Sequence, residues 1–335
     1  MTHGFYCGDI NTEVPLIQAS SVDTVLHSQW YPFDTGLFSR LIEKKNWQLV
    51  ETESFEKVFD VRGDFTHFDW NPLDVNQVAL VEKNIVKFVD LRVGGSLSSL
   101  IPKSRHFCKL SRVVWHPQTD GKGIFIGNSD GRIFYYDTRI LARPMAKTPT
   151  QDRNYRATIM SMQISPQYSQ LITFSNEIIQ WNLKLKHNSK SIIENSNIRF
   201  ESKFSDSDPL FWLCNLQQPF ITTRWIYLGN RYQTNWTSDI TAYDRKTGRI
   251  GRTLYSNLQY LSNLEDYTNV ISGVRRTKYE DDPNPQLIYI KNNCGLIRCK
   301  LLDIDNPERI SNNDHSNTST NHRSEMPDRW SDDEI

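Results

Sequence analysis

The residues best equipped for chemistry in this chain are arginines set two positions after aspartates. Asp90–Leu91–Arg92 and Asp137–Thr138–Arg139 repeat this pattern. A guanidinium is planar, always charged and able to fork onto carboxylates and carbonyls. An arginine held at the rim of a fold therefore anchors interfaces; a plain solvated arginine is the competing reading of each. That chemistry is recognition rather than bond breaking. The chain has no phosphate loop, dinucleotide fingerprint, nucleophile elbow or His-Glu-x-x-His. The sequence names no catalytic residue, metal ligand set or cofactor, and the expectation is a protein that is not an enzyme.

The remaining polar side chains fit structural roles. His67 and His106 lie shortly ahead of Trp70 and Trp115, where a histidine can serve an internal hydrogen-bond network. Asp34, Asp74 and Asp130 fall in turn-forming stretches, where carboxylates cap backbone amides; a carboxylate pair for acid–base work is the alternative. Five cysteines, at 7, 108, 214, 294 and 299, are odd in number and irregular in spacing, which points to a reducing compartment. Cys294 and Cys299 lack a second ligand pair for zinc and read as thiols flanking a hairpin. The basic clusters at 44–45, 184–186 and 275–278 are short, and the net charge is zero, so no direct nucleic-acid binding is expected. The chain has no run of 18 apolar residues, and its first eight residues lack a signal-peptide pattern, so no membrane association is expected.

The elements that must position these residues are announced by a repeat. An aromatic or aliphatic residue followed two positions later by proline occurs at Trp30–Tyr31–Pro32, Trp70–Asn71–Pro72, Trp115–His116–Pro117 and Ile164–Ser165–Pro166, at intervals of 40, 45 and 49 residues. Proline cannot donate to a strand ladder and so marks a strand's end. A period of about 40–45 residues built from short strands is the signature of a propeller blade. The third repeat reads most clearly: a strand over 111–115, a second over 123–126, a tight turn at Asn128–Ser129–Asp130–Gly131, and a third strand over 132–137. The third strands end alike, at Val50–Glu51, Val89–Asp90, Tyr136–Asp137, Trp181–Asn182 and Tyr243–Asp244. This is a degenerate form of the Trp-Asp ending of WD repeats.

The expected fold is therefore an all-β WD-repeat β-propeller over residues 1–304. About six units are recognisable, at 22–52, 62–92, 106–139, 155–184, 198–246 and 258–302. A polar stretch over 185–209 reads as an exposed loop between blades. Residues 258–274 supply early strands of the last unit, which closes with a hairpin around Asn292–Asn293. Residues 305–335 have few apolar residues and are expected to form a disordered acidic tail. Nine acids against three arginines over 303–335 make that end −6, leaving the rest +6. Trp330 in this tail suggests a docking point. Ser331, followed by three acids, suggests a kinase site, with a solubilising tail end as the alternative.

Ser21–Val22–Asp23–Thr24–Val25 followed by Trp30–Tyr31–Pro32–Phe33–Asp34–Thr35–Gly36–Leu37–Phe38 resembles the second blade of the Cockayne syndrome A WD-repeat family. Tyr136–Asp137–Thr138–Arg139 resembles that family's fourth blade end, with Tyr136 in place of the usual tryptophan. The segment 328–334 resembles its acidic end. The resemblance implies a seven-bladed propeller in the nucleus. Its role would be substrate receptor of a cullin-RING ubiquitin ligase in transcription-coupled nucleotide excision repair. The implied partners are a triple-propeller damage-binding adaptor, a Swi2/Snf2-type repair ATPase and stalled RNA polymerase II. The implied adaptor rim is Asp137, Arg139, Tyr136, Asp90 and Arg92. The family places a helical segment and a whole first blade ahead of the motif at Ser21. Either more sequence precedes this chain, or a partial blade over 5–20 closes the ring. A scaffold of another nuclear complex, without a ligase link, is the alternative function.

Overall fold

The computed structural model describes residues 3–8, 15–21, 25–34, 36–42, 46–100, 109–148, 157–165, 167, 169–175, 177–183, 193–203, 219–221, 224–229, 240–254, 286–291 and 295–300. Every regular element among them is a β-strand. Strands β1 (His3–Gly8) and β2 (Pro15–Ser21) pair as an antiparallel hairpin. Five four-stranded antiparallel meanders follow, here called blades 1 to 5. Blade 1 holds β3 (Val25–Trp30), β4 (Leu37–Ile42), β5 (Asn46–Glu51) and β6 (Lys57–Arg62). Blade 2 holds β7 (Phe65–Trp70), β8 (Gln77–Glu82), β9 (Ile85–Asp90) and β10 (Gly95–Leu100). Blade 3 holds β11 (Leu110–His116), β12 (Gly123–Asn128), β13 (Ile133–Asp137) and β14 (Ala146–Lys147). Blade 4 holds β15 (Ser161–Ile164), β16 (Gln170–Phe174), β17 (Glu177–Leu183) and β18 (Ile193–Lys203). Blade 5 holds β19 (Phe220–Ile221), β20 (Trp225–Gly229), β21 (Ile240–Asp244) and β22 (Ile250–Leu254). A final hairpin joins β23 (Gln286–Lys291) to β24 (Gly295–Lys300).

Strand side chains alternate between the two faces of a sheet, and here both faces of the inner strands are buried. Along β8, Val78 and Leu80 pack with Leu41, Trp47 and Leu49 of blade 1, while Ala79 and Val81 pack with Trp115, Ile124 and Ile126 of blade 3. Along β12 the alternation repeats: Ile124 and Ile126 face blade 2, and Phe125 faces Met162, Leu171 and Trp181 of blade 4. Ile172 and Phe174 of β16 then turn to Ile226 and Tyr243 of blade 5. This is why the strands read as apolar runs, and it stacks successive meanders face to face in chain order. Arg245 adds a polar tie. Its guanidinium is buried and donates to the side-chain oxygens of Gln180 and Gln170 in blade 4, while its carbonyl accepts from Gln180 Nε2 at 3.2 Å. Burial lowers its pKa to about 10.

The first strands of neighbouring blades contact one another, β7 with β11 and β11 with β15, so they form the inner edge of the array. Tryptophans at the proline repeats lock this edge. Trp70 Nε1 donates to Ser39 Oγ of blade 1 at 2.9 Å, and Trp115 Nε1 donates to the Asp69 carbonyl of blade 2 at 3.1 Å. The turn expected at 128–131 is present. Gly131 has φ 74°, and Asn128 Oδ1 accepts from the amides of Asp130 (3.0 Å) and Arg132 (2.8 Å). The side chain of Asn128 thus caps this turn. Asp34 and Asp74 do cap, each accepting from the amide two residues on, at 2.8 and 3.0 Å.

The stretch 185–209 is not simply a loop. Residues Ile193–Lys203 form β18, which pairs with β17 through Ile179↔Arg199, Gln180↔Ile198 and Trp181↔Asn197. A fourth strand lies at the outer edge of its blade, where polar residues are tolerated, so its composition imitates a linker. Consequently 198–203 belongs to blade 4, and blade 5 begins at β19 rather than at 198. The closing hairpin forms as expected, with Leu287 opposite Cys299 and Tyr289 opposite Ile297. Residues 258–274, His106, Cys108, Cys214, Cys294, the three basic clusters and the tail with Trp330 and Ser331 lie outside the described residues. The described helices and strands include no helix long and apolar enough to cross a membrane.

Candidate partner-binding face

In an antiparallel meander the turns after the first and third strands emerge at the same end. In blades 1 to 3 this end carries the proline turns (31–36, 71–76 and 117–122) and the corners after the third strands (52–56, 91–94 and 138–145). It is referred to below as the turn face.

Asp90 and Asp137 occupy equivalent last positions of β9 and β13, and their corners are superimposable in bonding. Asp90 Oδ1 accepts from both the Arg92 amide and Arg92 Nε at 2.9 Å, and Asp90 Oδ2 accepts from Arg92 Nη2 at 2.5 Å. Asp137 and Arg139 repeat these three contacts at 2.9, 2.9 and 2.5 Å. One edge of each guanidinium is therefore clamped by its own corner, while both arginine side chains stand mostly exposed, at 63 % and 64 %. The bidentate pairing holds both carboxyls below the usual carboxylate range and raises both arginines further. The clamp fixes the direction of a planar cation whose outer edge faces solvent.

The structure separates the five expected rim residues. Arg92 and Arg139 reach the surface. Asp90 is buried and Asp137 half-buried, so both act as clamps that aim the arginines. Tyr136 does not belong to the rim. It is 1 % exposed and packs in the cluster between blades 2 and 3, where burial pushes its hydroxyl pKa up to about 12. Both sides of β13 are buried, Tyr135 against blade 4 and Tyr136 against blade 2, so a side chain within this third strand is core whichever way it points. Blade 5 has the related run Asp244–Arg245–Lys246, but there Asp244 Oδ1 accepts from the backbone amides of Lys246 and Thr247, and its Oδ2 pairs with Arg224 Nε at 3.6 Å. The side-chain fork is confined, among the described corners, to blades 2 and 3.

Around the two arginines lies apolar surface that the sequence reading did not single out. Trp30, Phe33, Val58, Leu73, Val75, Val93, Ile140 and Met145 are the exposed large hydrophobics among the described residues. Every one sits at the turn-face end of blade 1, 2 or 3. The turns that bear them are tied to one another. Tyr31 Oη donates to the Val75 carbonyl at 2.7 Å, and its ring stands edge-on to Trp70, 4.8 Å between centroids. Asn71 Nδ2 donates to the Gly121 carbonyl at 3.0 Å, and Asn71 Oδ1 accepts from the Leu73 amide at 3.0 Å. A Cβ on Gly121 would collide with the Asn71 side chain, so glycine is required at this crossing. The residues preceding Pro32 and Pro72 thus staple each turn to the next blade's turn. For Phe33 and Leu73 the signal was present in the sequence, since each stands between a proline and an aspartate.

A second polar group lies on the inner edge. His27 of β3 and His67 of β7 stack with ring centroids 5.2 Å apart. Burial lowers His27 to about 4 and His67 well below the usual histidine value, with the charge of Arg112 on β11 adding to both. Asp69 Oδ2 accepts from the Trp115 amide at 2.7 Å, yet burial still pushes this carboxyl up to about 7. His67 Nδ1 accepts from the Val113 amide at 3.4 Å, a structural bond between blades as the sequence suggested. Among the described residues no group of three or more His, Cys, Asp or Glu side chains could hold a metal ion.

No protein-family profile and no curated protein matches this chain. Among solved structures it is similar to the β-propeller domain of Cps50 (Swd1) from Myceliophteria thermophila. The TM-score is 0.58 at 11 % identity, over 82 % of this chain and 83 % of that one. Solved chains matched number 1316, so the likeness is to a widely used architecture rather than to one protein. Together with the five stacked meanders, it establishes the chain as a WD40-like β-propeller.

Proposed function

We propose that this propeller is a non-catalytic scaffold that docks a protein partner on the turn face of blades 1 to 3. WD40-like propellers generally mediate protein–protein contacts. The observation that carries the reading is the gathering of eight exposed large hydrophobics and two clamped arginines at one end of three successive blades. Exposed apolar residues and aimed arginines on one cross-stapled face are what an interface core and its anchors require. The finer reading follows from the sequence resemblance: a nuclear substrate receptor of a cullin-RING ligase in transcription-coupled repair. Arg92 and Arg139 would then meet the triple-propeller adaptor, with the repair ATPase and RNA polymerase II as clients.

The test is affinity purification of the tagged native chain from nuclear extract, with and without ultraviolet damage. Wild type is expected to enrich the adaptor, a cullin or RNA polymerase II, and Arg92→Ala/Arg139→Ala to lose the adaptor while remaining folded. Undiminished adaptor recovery by the double variant would overturn the assignment of the arginines. Recovery of a different stable complex, with no cullin component, would replace the ligase reading with a scaffold of that complex.

A further inference from the structure

We propose that the partner surface docked on the turn face is bipolar, and that its basic end, a segment bearing arginine or lysine side chains, seats on Trp30 and Phe33 at the corner of blade 1. The inference rests on the docking reading above and adds to it the partner's chemistry and the direction in which the partner lies.

The corners of blades 1 to 3 are equivalent in the meander but not in charge. Asp90 and Asp137 end their third strands, and exposed Arg92 and Arg139 stand two positions on. In blade 1 the same positions are Glu51 and Glu53, so an exposed carboxylate takes the place of the exposed guanidinium. The neighbouring residues widen the contrast. Counting the proline turn, the last residue of the third strand and the corner after it, blade 1 carries Asp34, Glu51, Glu53 and Glu56 and no base. Blade 2 carries Asp74, Asp90 and Arg92, and blade 3 carries Asp120, Lys122, Asp137, Arg139 and Arg143. The sums run from −4 through −1 to +1 across three successive blades. The acidic end is the more pointed because residues 1–302 together are +6. A partner that meets Arg92 and Arg139 with carboxylates must therefore turn the opposite sign to blade 1.

The seat itself is aromatic. Trp30 and Phe33 are 49 % and 41 % exposed, and each is steadied by a ring contact. Trp30 stands edge-on to Phe38 at 6.2 Å between centroids, Phe55 meets the same Phe38 at 5.8 Å, and Phe33 stands edge-on to Tyr31 at 5.5 Å. The two turns that bear the rings and the acids are one unit. The Thr52 amide donates to the Gly36 carbonyl at 2.8 Å, and the Phe55 amide donates to the Glu51 carbonyl at 3.0 Å. Asp34 Oδ1 accepts from the Gly36 amide, and Glu51 Oε2 accepts from the Ser54 hydroxyl at 2.5 Å. These donors are neutral and leave the carboxylate charge in place. Lys57, the base that adjoins this corner, lies 3.6 Å from Asp60. A ring face attracts a cation, and the alkyl stem of arginine or lysine packs on the ring while its head reaches the acids. The chain's own segment 328–335 has the wrong sign for this seat, with Asp328, Asp332, Asp333 and Glu334 against Arg329.

The experiment follows the Trp30 indole N–H resonance of the full chain by NMR, assigned with Trp30→Phe. The probes are an alternating arginine–leucine hexapeptide, an alternating glutamate–leucine hexapeptide and a peptide of residues 328–335. The expected result is a saturable shift with the basic peptide, at least about tenfold tighter than with either acidic one, and weaker as salt is added. Glu53→Lys/Glu56→Lys, at two exposed positions, should weaken the basic peptide by about tenfold. Asp64→Lys, at the opposite end of the blades, should leave it unchanged. A Trp30 signal unmoved by the basic peptide at about 10 mM, moved as readily by the acidic peptides, or moved undiminished in the double variant would overturn the proposal. The affinity purification described above then separates this inference from the docking reading. A partner lost by Arg92→Ala/Arg139→Ala and also by Glu53→Lys/Glu56→Lys supports both. A partner lost only by the arginine variant keeps the docking reading and overturns the bipolar partner. A partner kept by both variants overturns the docking reading, and this inference with it.

Discussion

The corners of blades 2 and 3 and the inner edge between those same blades use the same residue types to opposite effect. At the corners, Asp90 and Asp137 sit beside exposed arginines and are held below the ordinary carboxylate range. At the inner edge, Asp69 accepts backbone hydrogen bonds and one from Gln29, yet burial drives it up to about 7. The difference lies in what replaces water. A forked guanidinium more than offsets the lost hydration of a carboxylate, whereas amide donors alone do not. The corner is thus a surface device that costs the fold little. The inner edge is a joint between blades whose stability depends on pH.

The largest expected effect breaks the joint. Trp115 packs between blades 2 and 3, and its indole donates to the Asp69 carbonyl. Trp115→Ala removes that bond and opens a cavity, with an expected loss of about 3–5 kcal/mol in urea unfolding. Ile140→Ala on the turn face should stay within about 0.5 kcal/mol of wild type. Comparable losses for the two would show that the turn face is part of the core and not a free surface.

Next in size is the pH response of the joint. Asp69 keeps its proton in the folded state up to about 7, from an ordinary value of 3.8. The unfolded chain loses that proton first, so this group's contribution is fully present at low pH and declines as pH rises through 7. His27, lowered from 6.5 to about 4, acts in the other direction: the unfolded chain gains its proton first, and stability falls as pH drops below 6.5. His67 has the same sign. The two effects oppose one another between about 4 and 6.5. Asp69→Asn can still accept from the Trp115 amide, and it removes the ionisation. The variant is expected to be more stable than wild type near pH 8, on the order of 2 kcal/mol once relaxation of the buried site is allowed for. Between pH 6.5 and 5 it should lose stability more steeply, because the histidines act unopposed. Parallel stability–pH curves for the two proteins would refute the burial of an ionisable Asp69.

Much of the fold was legible because strand ends are chemically marked. The proline repeats fixed the first strands, Asn128 to Gly131 fixed a hairpin, and terminal acids or amides marked the third strands. The fourth strands escaped because they lie at the outer edge. Lys57–Arg62 buries little, and Ile193–Lys203 is polar enough to read as a linker. The exposure of Arg92 and Arg139 was legible, since it follows from their place just past a strand. Tyr136 was misplaced because its neighbourhood was read as a surface motif, when both sides of a third strand are buried between neighbouring blades. The meeting of His27 with His67 depends on the packing of successive blades. It becomes visible only once residues are counted back from each proline.

The smallest effect concerns the corner itself. Arg139 is exposed, and its ion pair with Asp137 closes over only two residues. Exposed pairs of this kind contribute little, since water and salt screen them and the side chain loses freedom in making them. The backbone bond from the Arg139 amide to Asp137 Oδ1 survives substitution of the side chain, so the turn keeps its geometry. Arg139→Ala should therefore unfold close to wild type, and added salt should narrow the gap. The Asp137 carboxyl, released from its fork, should titrate closer to an ordinary aspartate, measurable by carboxyl-carbon NMR. If the variant instead lost several kcal/mol, the corner would be a structural clasp, and the loss of a partner on mutation could not be assigned to recognition. A folded variant with a freed Asp137 and a lost partner assigns the arginine to the interface.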